Sequence, residues 1–225
     1  MDTARIAALL APFLEHAPSV SVLDQISTYI DLLSRWNARI NLTAIRRPEE
    51  IVTRHFGESL FLARHLFPDP AGASFIAHAA TSGASSPSRV LDIGSGAGFP
   101  ALPMKIWAPE IRLTLIESNN KKAAFLREVA RALILTDVNV ITDRAETLCS
   151  RADFPRTDVV TLRAVESFTN VLPQAISFLN PKGIIALLIG ADQVAHLATL
   201  TGMNWKPPIA VPESMRRVLA IGVRD

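Results

Sequence analysis

The sequence has a single cysteine, Cys149, in 225 residues. One cysteine makes no internal disulfide and no cysteine-pair metal site, which excludes secreted disulfide scaffolds, zinc ribbons and iron–sulfur carriers. No metal site of any kind is expected. Long apolar runs are missing too: the longest, Gly183 to Ala191, covers nine residues, against the ~20 needed to cross a bilayer. The apolar stretch Ile6 to Leu14 is preceded by Asp2 and only one arginine, Arg5, and is followed by Glu15-His16 in place of a small-residue cleavage site. A cytoplasmic chain with no membrane contact is therefore expected. An excess of charge is also lacking, since 23 Lys and Arg stand against 21 Asp and Glu, a net +2. That margin excludes a general polyanion binder and confines any nucleic-acid contact to a local patch.

What is present is enough apolar residue, 49% of the chain, to build a core without staples at this length. Residues 68–88 divide the chain: PDPAGASFIAHAATSGASSPS is rich in Ala, Ser, Gly and Pro and contains no Lys, Arg or Glu, the composition of a linker or surface loop. Before it, residues 1–67 read as a small helical subdomain. Leu23, Ile26, Ile30, Leu33, Trp36 and Ile40 recur at helical steps behind a Ser21-to-Asp24 capping pair. A further helix starts at Pro48, with Glu49 and Glu50 in its first turn, and runs to about His65. The first seventeen residues predict a short helix ending at or bent by Pro12.

Residues 89–225 alternate strands with helices. Strands are predicted at Arg89 to Ile93, Arg112 to Ile116, Val138 to Thr142, Asp158 to Leu162 and Ile184 to Ile189, with a closing strand at Arg216 to Val223, antiparallel at an edge. Helices are predicted at Pro100 to Trp107, Asn119 to Leu133, Thr169 to Leu179 and Ala191 to Thr201. Apolar strands separated by such helices imply a doubly wound, mostly parallel α/β sheet covered on both faces.

The first strand runs into VLDIGSGAGFP, which places Asp92 at the strand end and Gly94, Gly96 and Gly98 in the turn that follows. Glycines there permit positive φ and let a ligand approach the main chain. A dinucleotide site requires G-x-G-x-x-G/A; here the third glycine is one place early and Phe99 stands where Gly or Ala is needed, so a nicotinamide oxidoreductase is contradicted. A cofactor with no phosphate and a charged amino-acid tail suits the turn better, with Asp92 near its ammonium. S-adenosyl-L-methionine is such a cofactor. Glu117, 23 residues after Gly94 at the end of the second strand, is placed to accept from ribose hydroxyls. Asp143, Ala145 and Glu146 follow the third strand where an adenine ring would be held.

These motifs, with several others, make the chain resemble the bacterial ribosomal RNA small subunit methyltransferase G family, also called glucose-inhibited division protein B. The resemblance covers most of the chain and rests on WNARINLT at Trp36 to Thr43, RHFGESL at Arg54 to Leu60, LDIGSGAGFPALPMKI at Leu91 to Ile106, ESNNKKAAFLREV at Glu117 to Val129, RAE at Arg144 to Glu146 and LRA at Leu162 to Ala164. It implies a seven-stranded class I methyltransferase sheet (Rossmann-like) and transfer of a methyl group from S-adenosyl-L-methionine to N7 of one guanine in the decoding region of 16S rRNA. By motif matching it implies cofactor contacts at Gly94, Phe99, Ala145, Glu146 and Arg163. One departure is Ile189 in LLIG, where the family usually carries lysine. If that lysine serves transfer, the alternative is a protein that binds cofactor and RNA with weak or lost transfer.

The chemistry agrees with a purine nitrogen as acceptor. Cys149 lies three residues beyond Glu146, away from the end of the fourth strand, so the covalent route to pyrimidine C5 has no nucleophile. Thr161-Leu162-Arg163-Ala164 stands where enzymes methylating exocyclic amines carry an Asn/Asp-Pro-Pro-aromatic turn. Guanine N7 has a free lone pair and no proton to lose, so positioning suffices and no catalytic acid, base or nucleophile is expected. RNA contact would fall to Arg35, Arg39, Arg46, Arg47, Arg54 and His55, five arginines against two glutamates over residues 35–55, with Lys121, Lys122 and Arg163 at the mouth of the α/β domain. The partner would be 16S rRNA, free or in a small subunit or assembly intermediate, and the chain a monomer.

Overall fold

The computed structural model describes residues 1–68, 88–163 and 168–225. The expected linker, apart from Pro68 and Ser88, and Ala164 of the LRA motif lie outside the described residues.

Helix α1 spans Thr3–Leu10, and Pro12 falls in a 3-10 turn at Ala11–Phe13. Helix α2 spans Val20–Asn37. Its cap is Ser19, two residues before the expected one; the Ser19 hydroxyl accepts from the Val22 N–H. The helix expected from Pro48 is three pieces in line: α3 at Pro48–Ile51, a π-helical turn at Val52–Gly57, and α4 at Glu58–Leu66. A π turn inside a helix widens the backbone and commonly marks a functional position. Here Gly57 lies against the Phe13 ring, where an added Cβ would come within 2.6 Å of Phe13 carbons.

The sheet comprises β1 (Arg89–Ile93), β2 (Arg112–Ile116), β3 (Val138–Ile141), β4 (Thr157–Arg163), β5 (Leu179–Gly190), β6 (Met203–Trp205), β7 (Ile209–Ala210) and β8 (Arg217–Arg224). Its order is β3-β2-β1-β4-β5-β8-β6, with the two-residue β7 also paired to β8. Strands β1 to β5 pair in parallel, and β8 runs antiparallel to β5. The closing strand is thus antiparallel, but it is interior, held between β5 and the unpredicted β6. Four helices complete the sheet crossovers: α5 (Ala101–Trp107), α6 (Asn120–Ala132), α7 (Ala145–Cys149) and α8 (Phe168–Ser177). The helix expected over Ala191 to Thr201 is reduced to a 3-10 turn and α9 at Val194–Leu197.

Alternation along the strands divides the core between two faces. Val90, Leu113, Leu115, Val159, Ile184, Ala186, Leu188, Leu219 and Ile221 share one apolar cluster with α5, α6 and the helices before residue 67. Leu91, Ile93, Ile116, Val160, Leu162, Ile185, Leu187, Ile189 and Ala220 share the other with α7, α8 and α9. The N-terminal helices therefore cover one sheet face directly and share its core.

Candidate functional site

Parallel strands end where β1 and β4 diverge in order, the switch point at which open α/β sheets bind ligands. Asp92 on β1 and Thr161 on β4 are register partners there. Both are buried, and Thr161 Oγ1 donates to Asp92 Oδ1 at 2.6 Å. Asp92 Oδ2 has no partner and is shut off from solvent. Burial pushes this carboxyl up to about 6, against the opposing hydrogen bonds from Thr161 and Ser95; Glu117 raises it further and Arg163 lowers it. A carboxylate left with one bare oxygen in a dry position is poised for a cationic donor.

The glycine turn that follows has Gly94, Gly96 and Gly98 all at positive φ, and Gly98 has a second constraint. A Cβ there would collide with the Tyr29 hydroxyl and come within 2.6 Å of Leu102 Cδ1. Tyr29, fully buried on α2, donates from that hydroxyl to the Ala97 carbonyl at 2.5 Å. The turn is also tied from β2: Glu117 accepts from Gly96 N through Oε2 and from Asn119 N through Oε1, each at 2.8 Å. Glu117 is thus placed beside the turn, with both oxygens already holding backbone N–H groups.

Gly94, Asp143, Ala145 and Glu146 line a cleft of about 310 Å³ together with Ile93, Ile116, Ser118, Arg144 and Val171. Ala145 and Glu146 open α7, a short helix not among those the sequence predicts. Phe99 does not line this cleft. Its ring stacks on Tyr29 at 5.3 Å and on His55 at 4.5 Å, and Phe56 meets it edge-on.

Arg163 ends β4 on the same sheet face as Asp92, toward the N-terminal helices. Its side chain is 6% exposed; Nη2 pairs with Glu58 Oε2 at 3.1 Å and donates to the Arg54 carbonyl, while Nη1 has no partner. Glu58 pairs again with Arg217 of β8 at 2.7 Å. Burial lowers the Arg163 guanidinium to about 10 despite Glu58, which still leaves it charged at neutral pH. Glu58 and Arg217 were not singled out in the sequence. Their only sequence signal is the RHFGESL motif, which contains Glu58, and β8 had no motif at all.

The WNARINLT segment folds as a clasp. Asn37 accepts from the N–H groups of Leu42 and Thr43 and donates to the Thr43 carbonyl. That fixes Thr43 Oγ1 at 2.8 Å from His55 Nε2. His55 is thereby buried beneath Phe99, and burial together with Arg163, Arg217 and Arg54 pushes it down to about 3. A neutral, buried imidazole makes no phosphate contact, so His55 is removed from the expected basic patch.

The remaining cations are on the surface. Arg35, Arg39, Arg46, Arg47, Arg54 and Lys121 are exposed and Lys122 half-buried. Trp36 of α2 meets Phe125 of α6 at 5.6 Å, and Gln25 of α2 reaches the Leu133 carbonyl after α6. The two helices are therefore antiparallel, which brings Arg35 and Arg39 to the end of α6 that begins with Lys121 and Lys122, beside Ser118 of the cleft. Arg47 is engaged by Glu50 at 3.6 Å, an exposed contact of little energetic weight. Ile189 is 5% exposed in the apolar cluster of the opposite sheet face.

Among the described residues, no group of His, Cys, Asp and Glu is disposed to hold a metal, and no helix is long and apolar enough to cross a membrane.

Comparison with known proteins accords with this geometry. Residues 22–205 match the family described as rRNA small subunit methyltransferase G (GidB). A ribosomal RNA small subunit methyltransferase G of Roseiflexus castenholzii is 41% identical over 169 residues, 72% of this chain and 65% of that relative's own length. One of Xylella fastidiosa is 32% identical over 221 residues, 95% of this chain and 94% of the relative. Among solved structures, a ribosomal protein L11 methylase of Lactobacillus delbrueckii subsp. bulgaricus superposes with a TM-score of 0.53 at 16% identity, covering 75% of this chain and 80% of that one, a likeness of fold alone.

Proposed function

The chain belongs to the rRNA small subunit methyltransferase G family, and from that premise we propose that it transfers a methyl group from S-adenosyl-L-methionine to N7 of a guanine in the decoding region of 16S rRNA. The observation that carries the cofactor assignment is a pair of buried, unpartnered atoms of opposite charge at the ends of the neighbouring strands β1 and β4: Asp92 Oδ2 and Arg163 Nη1. A zwitterionic amino-acid tail supplies the missing partner to each, an ammonium to Asp92 and a carboxylate to Arg163. The residues present fit this cofactor. Gly94 and Gly96 allow close approach of its backbone-facing side, Glu117 has further lone pairs for ribose hydroxyls, and Ala145 and Glu146 border the cleft for adenine.

When bound, S-adenosyl-L-methionine supplies an electrophilic methyl on a sulfonium. The protein's part is orientation. Tyr29, Phe56 and His55 pack around Phe99, the residue directly after the glycine turn, and so brace the turn against the N-terminal helices. Glu58 and the Arg54 carbonyl hold Arg163 by Nη2 and leave Nη1 free. No proton needs removal from guanine N7, and the neutral His55, buried under the ring stack, is asked for none. Positioning of this kind, with water excluded, accounts for several kcal/mol of barrier in group transfer. Arg35, Arg39, Lys121 and Lys122 are proposed to take RNA phosphates along the cleft mouth, with Arg46 and Arg47 extending that surface and Arg54 contacting RNA beyond the end of β4, beside Arg163; the RNA is free or within a small subunit or its assembly intermediate, and the enzyme acts as a cytoplasmic monomer.

The test is 7-methylguanosine formation: the purified chain, labelled S-adenosyl-L-methionine and unmodified 16S rRNA or small subunits should yield label in one 16S guanine, read by nuclease digestion and mass spectrometry. Label in no guanine, with the cofactor demonstrably bound, would refute transfer.

A further inference from the structure

On the reading that the acceptor is RNA, we propose that the turn joining β7 to β8 is a second RNA-contact surface. In it Met215 packs against an unstacked base while Arg216 and Arg54 hold phosphates of the strand carrying the target guanine. The turn is at the catalytic edge of the sheet. Strand β8 is antiparallel to β5, and Arg217, its first residue, pairs with Gly190, the last of β5. The N-terminal end of β8 therefore lies beside the ends of β4 and β5, on the far side of the switch point from the cleft and from the Arg39 and Lys121 patch.

Three observations point to a ligand surface. Met215 is fully exposed, one of three large apolar side chains so displayed among the described residues. The backbone of its turn is tied on both sides of it: Val211 N donates to the Arg217 carbonyl, Ser214 N to the Val211 carbonyl, Arg217 N to Ser214 Oγ, and Ala191 N to the Arg216 carbonyl. A turn tied in this way loses little backbone freedom on binding, which favours its use as a contact. Thirdly, the surroundings are cationic. Arg216 and Arg54 are exposed, and Arg217, 27% exposed, reaches back to Glu58 beside Arg163, whose Nη2 bonds the Arg54 carbonyl. Glu213 and Asp192 are the exposed acids nearby, while Glu58 is already paired twice. An apolar side chain flanked by arginines matches a splayed single strand, whose bases offer faces and whose backbone offers phosphates.

The experiment compares the full chain with Arg216→Gln and Met215→Ala, both at exposed positions. It measures binding to naked 16S rRNA and to small subunits over a range of salt, methyl transfer, and S-adenosylhomocysteine affinity. Arg216→Gln should weaken RNA binding roughly three- to tenfold and flatten the log–log salt dependence by about one. Met215→Ala should weaken binding by a similar factor with the salt slope unchanged. Cofactor affinity should stay within about twofold for both, since neither touches the glycine turn. Unchanged RNA affinity and slope in both variants, with methyl transfer intact, would overturn the surface and leave the function standing. Loss of binding only with assembled subunits, not naked RNA, would overturn it in favour of a protein contact. If the chain binds RNA through this turn yet transfers no methyl, the enzymatic reading fails and the surface stands; if it binds neither naked 16S rRNA nor small subunits, both fall.

Discussion

Phe99 and Tyr29 stack almost parallel, 9° apart with ring centroids 5.3 Å from each other, across the boundary between the N-terminal helices and the glycine turn. Tyr29 also bonds the Ala97 carbonyl inside that turn. One α2 residue thus fixes both the backbone and the flanking ring of the glycine turn. Its phenol stays protonated, since burial first and Asp92 second raise it well above the usual value.

Removing only the hydroxyl separates these roles. Tyr29→Phe keeps the stack and strands the Ala97 carbonyl, for an expected loss of about 1–2 kcal/mol in urea unfolding and a weaker grip on S-adenosylhomocysteine. A variant as stable as the parent would show that the bond holds nothing.

Gly98→Ala is expected to be worse, because it combines a positive φ with collision against Tyr29 and Leu102. About 2–4 kcal/mol of destabilisation should appear in the same unfolding assay.

Gly94→Asp tests the cleft. Gly94 is exposed with φ 68°, a conformation aspartate tolerates better than most residues, so the fold should survive while a carboxylate occupies the approach to the turn. Calorimetry should show no S-adenosylhomocysteine binding by the folded variant.

Asp92→Asn should retain the Thr161 bond and remove a charge that burial disfavours. Its melting temperature should equal or exceed the parent's, while cofactor affinity falls roughly 10- to 100-fold through loss of a charged hydrogen bond. Equal affinity would disprove the ammonium contact.

The same carboxyl predicts a pH dependence. Its folded value is about 6, above the ordinary 3.8, so the free protein protonates Asp92 as pH falls through 6, whereas a bound ammonium requires it ionised. Affinity should drop roughly tenfold from pH 7.5 to 5, and binding at pH 6 should release roughly half a proton, visible as buffer-dependent heat. The sign for folding is opposite to that of a salt-bridged aspartate: with the folded value raised, the ionised group costs stability above pH 6, and that cost disappears as pH falls toward 4.

The order of strands and helices after residue 89 follows from local chemistry, since period-2 and period-3.6 apolar patterns and a glycine turn act over a few residues. On that basis the sequence places β1 and β2 to the residue, with Asp92 and Glu117 at strand ends and Gly94 in the turn. Strands β6 and β7, of three and two residues, are too short for a period and exist because β8 offers them an edge. Nor could the chain alone reveal which side of the sheet each strand residue faces. Only pairing puts Asp92, Thr161 and Arg163 together beneath the N-terminal helices and sends Ile189 to the other face, and only packing turns His55 from a surface base into a neutral ring below Phe99. Residue type and spacing settled which chemistry the chain carries. Long-range pairing, through burial that withdraws solvent from some polar atoms, decided which of them, such as Asp92 Oδ2 and Arg163 Nη1, end without partners.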